Sequence, residues 1–289
     1  MDVGLNLVMV RPQHMPEVAA RAEALGYESV FVPDHVVFPA RVSSAYPYAP
    51  DGTFPFPLDT PLYDPWLVLM QIAAATSTIR LGTAVYVLPL RHPFVAARAV
   101  TTLDALSGGR AILGVGAGWL AEEFTAMGLD PRTRFSRTEE AVEVIRGLWT
   151  EREPSFHGQH FDFDPVYFEP KPTSSPHPPI MLGGESDNAL SRAARLGDGW
   201  LSGGVASDIG AVEERVTTLR SFREEVGATR PFNVTVLHPK PSADELARLE
   251  EIGVDRVVVM PWARGRDAVS EMEAFAEGLS RQRLRRDTA

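Results

Sequence analysis

Three short clusters carry residue types that can do chemistry, and each stands where an apolar run ends. Pro33-Asp34-His35 follows the run at 29–32. The His35 imidazole can donate, accept or relay a proton near neutrality, and a carboxylate such as Asp34 can fix its tautomer. The same dipeptide also suits a plain turn. Gly114-Val115-Gly116-Ala117-Gly118-Trp119 is rich in glycine, which either lets a ligand reach the backbone or serves a tight turn. Gly183-Gly184-Glu185-Ser186 leads into a helical stretch. Free N–H groups and the dipole at that helix start favour a phosphate, with Ser186 as an added donor or simply as the N-cap. Glu185 would repel a phosphate unless it points away.

These clusters meet only if the elements before them are parallel strands. Apolar runs at 3–10, 29–32, 79–88, 110–115, 180–182, 199–201, 232–237 and 256–260 read as eight strands. Helical spacing separates most of them. Val18, Ala19, Ala22 and Leu25 recur until Gly26, and 93–106, 138–149, 188–196, 211–226 and 267–284 follow the same rule. Ser242 and Glu245 spell a capping box. This alternation predicts an α/β fold, a closed (β/α)8 TIM barrel whose strand-end loops share one mouth, with 1–289 as a single domain. An open doubly wound sheet is the alternative, but G-x-G-x-x-G after the first strand is absent. Segment 38–66 has neither period. It interleaves Pro39, Pro47, Pro50, Pro55, Pro57, Pro61 and Pro65 with Tyr46, Tyr48, Phe54, Phe56 and Tyr63, which predicts a lid after the second strand. Segment 155–178, with Phe156, Phe161, Phe163, Tyr167 and Phe168, predicts a β-hairpin insertion after the helix that follows the fourth strand.

Composition narrows the chemistry. With 0 cysteines there is no disulfide, thiol nucleophile or Cys-held metal. His14, His92, His157, His160, His177 and His238 show no metal-ligand spacing beside a carboxylate, so no metal is expected. Net charge is -10, which argues against nucleic acid as a partner. The basic run at 281–286 reads as a solvated helix end. The first ten residues lack a basic n-region, and the apolar stretch at 66–75 is far short of a membrane span, so no membrane partner and a cytoplasmic location are expected.

The stretch IRLGTAVYVLPLRHPFVAARAVTTLDALSGGRAILGVGAGW at 79–119 resembles the bacterial luciferase-like monooxygenase superfamily, as do AEALGYESVFVPDH and PPIMLGGESDNALSRAARLGDGW. The resemblance spans nearly the whole chain. The lid sequence YPYAPDGTFPFPLDTPLYDPW is similar to the branch that uses the deazaflavin coenzyme F420, while other members use FMN. The resemblance implies Asp34 as a cofactor contact and His35 as the proton-transfer group. It implies a non-prolyl cis peptide at Ala84-Val85 against the deazaflavin ring. It further implies cofactor contacts at Ala117 and Gly118 and, near the phosphate, at Gly183 and Gly184. One departure stands out. The F420-dependent sugar-phosphate dehydrogenases have a catalytic Glu where this chain has Trp119, and an indole cannot transfer that proton. Glu122 and Glu123 are not promoted to the role. The expected function is hydride transfer between F420 and a small organic substrate, by a homodimer. The alternatives are an FMN-dependent monooxygenase fed by a separate reductase, and a non-catalytic cofactor-binding protein.

Overall fold

The computed structural model describes residues 1–205 and 208–286, with the side chains of 205 and of residues beyond 279 outside the described residues. The expectation for the basic run at 281–286 therefore falls outside them. Eight parallel strands close on themselves: β1 (Asp2–Asn6), β2 (Ser29–Val32), β3 (Arg80–Thr83), β4 (Ala111–Gly116), β5 (Ile180–Gly183), β6 (Gly199–Val205), β7 (Asn233–Leu237) and β8 (Arg256–Val259). Hydrogen-bonded order runs β3-β2-β1-β8-β7-β6-β5-β4, and β3 returns to β4 through Leu81↔Ala111 and Gly82↔Ile112. The protein is thus a (β/α)8 TIM barrel, and the open-sheet alternative falls.

Helices α1 (Met15–Ala24), α2 (Pro65–Ala75), α3 (Pro93–Ser107), α4 (Ala121–Ala126), α5 (Arg134–Thr150), α6 (Asp187–Leu196), α7 (Ile209–Glu225), α8 (Ala243–Glu251) and α9 (Ala268–Arg286) wrap it. Their starts and stops are local chemistry. Pro16 opens α1, and Gly26 turns the chain away at φ 84°. The capping box of α8 is present, with Glu245 N–H on Ser242 Oγ at 3.2 Å and Ser242 N–H on Glu245 Oε2 at 2.7 Å.

Inside the barrel, Phe31, Ile112, Met181, Leu201 and Val258 form a plug of their own. A side chain at Gly82 would run into the Phe31 ring, so that glycine makes the room Phe31 fills. The main core lies between the sheet and the helices. Among the described residues no helix is long and apolar enough to cross a membrane.

Several boundaries differ from expectation. Strand β1 ends at Asn6 rather than at 10, because the chain turns through Met9 at φ 71°. The predicted third strand is broken: the Ala84–Val85 peptide is cis, and Tyr86–Val87 resumes pairing with Val115 and Gly116. Helix α2 was not expected. Asp64 caps it by accepting from the N–H groups of Trp66 and Leu67 at 2.9 and 3.2 Å. The lid is therefore shorter than predicted, ending where α2 begins. Helix α5 starts at Arg134, ahead of the predicted 138, and short α4 precedes it. The hairpin after α5 pairs only Phe156–His157 with Asp162–Phe163, and the rest of 155–178 is irregular.

Candidate active site

At the C-terminal ends of the strands the barrel mouth and the lid enclose a cavity of about 1330 Å³. That exceeds the roughly 300–1,000 Å³ usual for one small ligand, so it has room for a cofactor and a second molecule. Its wall at the ends of β3, β4 and β5 is backbone and short side chains, from Ala84, Val85, Gly116, Ala117, Gly118 and Gly183. Such a surface accepts a planar ring without steric conflict.

His35 stands at the edge of this wall. Its Nδ1 lies 2.8 Å from Oε2 of Glu123, on the first turn of α4. The other oxygen of Glu123 accepts from the N–H of Val36 at 2.6 Å and of Val37 at 3.2 Å. The Glu123 side chain is 1% exposed and His35 12%. Phe38 packs 4.4 Å from the imidazole centroid and Trp119 6.1 Å, nearly perpendicular at 85°. Nδ1 is engaged, and Nε2 is the nitrogen left for the cavity that His35 lines.

Asp34 behaves differently from its neighbour. Its carboxylate turns into the protein, bound by Arg91 at 2.5 and 2.7 Å and by Val87 N–H at 2.9 Å. Burial raises the Asp34 carboxyl above its usual range, against the pull of Arg91. Burial pulls the guanidinium down, but hydrogen bonding and charge from Asp34 outweigh it and hold Arg91 above its usual value. The guanidinium also lies 4.3 Å over the Tyr86 ring, just past the cis peptide. Asp34 thus ties β2 to the resumed end of β3 and sets where Ala84 and Val85 stand.

The far end of the cavity carries two arginines, Arg134 and Arg192, the second of them paired through Nε with Glu139 at 3.0 Å. Ser186 caps α6, its Oγ accepting from Ala189 N–H at 3.3 Å, and Gly184 beside it has φ 121°. Arg134 and Arg192 flank the Phe135 ring at 4.6 and 5.0 Å and line the same cavity. Nε of Arg134 is buried without a hydrogen-bond partner, which fits an end that takes an anionic group. Glu185 does not oppose it. Its carboxylate turns to the end of β6, accepting from Gly203 and Gly204 at 2.6 and 3.0 Å and pairing with Arg215.

The lid is docked by both carboxylates and aromatics. Glu122 accepts from the N–H and hydroxyl of Ser43 at 2.7 and 2.6 Å, and from Ser44 Oγ at 2.7 Å. Those bonds, the Ser43 hydroxyl foremost, hold Glu122 down to about 2. Phe54 stacks on Trp119 at 5.4 Å and 27°, with Tyr46 5.2 Å from the same indole. Tyr48 lies over Gly203, leaving no space for a side chain there, and burial pushes its hydroxyl up to about 12.

A backbone-lined wall, a tethered histidine and an end with two arginines point to one known group of barrels. The family described as luciferase-like monooxygenase matches residues 5–251. The chain belongs to that family. An uncharacterized protein from Mycobacterium tuberculosis is 35% identical over 91% of this chain and 93% of its own length. The F420-dependent glucose-6-phosphate dehydrogenase of Kineococcus radiotolerans is 33% identical, covering 81% of this chain and 65% of that one. The FMNH(2)-dependent dimethylsulfone monooxygenase of Pseudomonas putida is 33% identical over 61% and 49%. Among solved structures, monooxygenase RslO1 from Streptomyces bottropensis superposes with a TM-score of 0.76 over 98% of this chain and 99% of that one, at 21% identity, which speaks for the fold. Family members with F420 and with FMN are thus both among the relatives.

In this luciferase-like chain the cavity lining includes each residue the sequence assigned to catalysis or cofactor contact, namely Asp34, His35, Ala84, Val85, Ala117, Gly118, Gly183, Gly184 and Ser186, but the Asp34 carboxylate, expected to meet the cofactor, is turned to Arg91 and Val87 instead. Sequence reasoning missed their supports. Arg91 was visible as a charged residue just past a strand end, and Arg134 and Arg192 sit on helix faces that nothing local ties to the mouth. His157 and His160 stay on the hairpin, bonded to Asp162 and Ser136, away from the cavity.

Proposed function

We propose that this luciferase-like protein transfers a hydride between coenzyme F420 and a small, uncharged organic substrate. The observation that carries the reading is the His35 imidazole, held through Nδ1 and lining the cavity beside a wall of backbone and small side chains. When bound, F420 supplies the ring carbon that takes or gives the hydride. Ala84, Val85 and the glycines of β4 and β5 would hold the ring, and Ser186, Arg134 and Arg192 the anionic tail.

In the oxidative direction a substrate C–H would be the source of the hydride, for which bound F420 would be the acceptor. The substrate's O–H proton passes to Nε2 of His35, leaving a carbonyl, and solvent later receives that proton. The reductive direction runs the same transfers backward. The lid aromatics orient the substrate and exclude water, so the two transfers occur from one geometry. Asp34, Glu123 and Glu185 are each paired within the protein, which leaves the half of the cavity near Trp119 apolar. This argues for an uncharged substrate and against a sugar phosphate. The homodimer expected from the resemblance belongs to the same proposal.

A second reading has its own support. The pair Arg134 and Arg192 also suits the terminal phosphate of FMN, and the Pseudomonas relative uses FMNH2. A separate reductase would then be the partner. Parallel fluorescence titrations of the purified protein with F420 and FMN decide between them. Tight F420 binding is expected, and tight FMN binding with none for F420 would replace the first reading by the second. Bound, reduced F420 that no organic acceptor reoxidises would favour a non-catalytic binding protein.

A further inference from the structure

The two oxygens of Glu123 face different kinds of partner. Oε1 meets two backbone N–H groups, of Val36 and Val37, and backbone amides can only donate. The carboxylate therefore cannot swivel without leaving buried donors unpaired, and Oε2 must face His35. A carboxylate oxygen offers no proton, so the hydrogen of the neutral imidazole sits on Nδ1 and the lone pair on Nε2. Phe38 and Trp119 keep the ring from turning over.

We propose that Glu123 is the positioning residue for His35. It fixes the Nδ1–H tautomer, aims Nε2 at the cavity, and stabilises the imidazolium once Nε2 holds a proton. The same segment joins this to the lid, because Val36 and Val37 are its root and Glu122 grips Ser43 and Ser44 one residue before Glu123. The arrangement resembles the buried carboxylate that orients the histidine of a Ser-His-Asp triad, reached here on a barrel. Its catalytic use rests on the function proposed above, while the tautomer does not.

The test uses the full chain, without cofactor, labelled with 15N-histidine and observed by long-range 1H–15N correlation. The wild-type spectrum is expected to show His35 protonated on Nδ1 and bare on Nε2. In Glu123→Gln the amide oxygen stays on Val36 and Val37, so the NH2 group faces Nδ1. The tautomer then switches, and the bare-nitrogen signal moves from Nε2 to Nδ1. F420 affinity is expected to stay within about threefold, below 1 kcal/mol. A wild-type His35 protonated on Nε2, or a Glu123→Gln spectrum with no switch, overturns the proposal. If the variant does not fold, the wild-type spectrum alone decides. If the tautomer switches but F420 never binds, the cofactor reading fails and the role of Glu123 stands.

Discussion

At the N-terminal end of the barrel, Arg256 meets Glu28 through two bonds of 2.8 Å, and its remaining nitrogen reaches Asn233 and Thr235 at 3.3 and 3.2 Å. At the opposite end, Asp34 meets Arg91 and Glu123 meets His35, again buried but backed here by backbone N–H groups rather than by side chains. The parts are alike, but their completion differs. Every guanidinium nitrogen of Arg256 is bonded, so that end is closed and structural. At the mouth one nitrogen of His35, both ring nitrogens of His238 and one nitrogen of Arg134 are left facing a cavity or without a hydrogen-bond partner. A polar cluster inside a barrel becomes a site when one of its groups stays unsatisfied next to open space.

The comparison breaks first at His35. His35→Asn keeps a donor toward Glu123 but removes Nε2, so turnover should fall about 10²–10⁴-fold. Thermal stability and F420 affinity should barely move. Unchanged turnover with intact binding would remove His35 from the chemistry. The mirror experiment is Arg256→Met, which leaves Glu28 and Thr235 without their partner. Denaturant unfolding should show a loss of about 3 kcal/mol, with turnover per folded molecule preserved. A stable variant with impaired turnover would mean that the closed end also reaches the site.

The smallest effect concerns pH. Glu122 is held near 2 against an ordinary 4.5, so its contribution to lid docking is complete above about pH 4.5 and fades as pH falls toward 2. Protease protection of the lid should therefore be flat from neutral pH down to about 4.5. Loss of protection near pH 6 would assign the anchor to another group.

Much of this was legible in the chain. Most of the strand runs, the capping box at Ser242 and the glycine that ends α1 are short-range patterns that fold as they read, while the runs at 3–10 and 79–88 are cut short or broken. Helix α2 was not legible, because PWLVLMQIAAA is apolar on every side and has no stripe to betray a helical period. The cis peptide at Ala84–Val85 was implied by family likeness alone. The site residues were found one at a time, at strand ends, and the structure gathers them around one cavity.

The order of elements, the closure they permit and the identity of the mouth residues were set by the sequence itself, since periodicity and turn chemistry act within a few residues. The pairings were decided only in three dimensions. Asp34 and Arg91 are 57 residues apart, and His35 and Glu123 are 88 apart. Nothing local connects them. They meet because parallel strands shear into a closed barrel, which brings the ends of β2, β3 and β4 to one rim and leaves each carboxylate a single side-chain partner beside its backbone N–H groups.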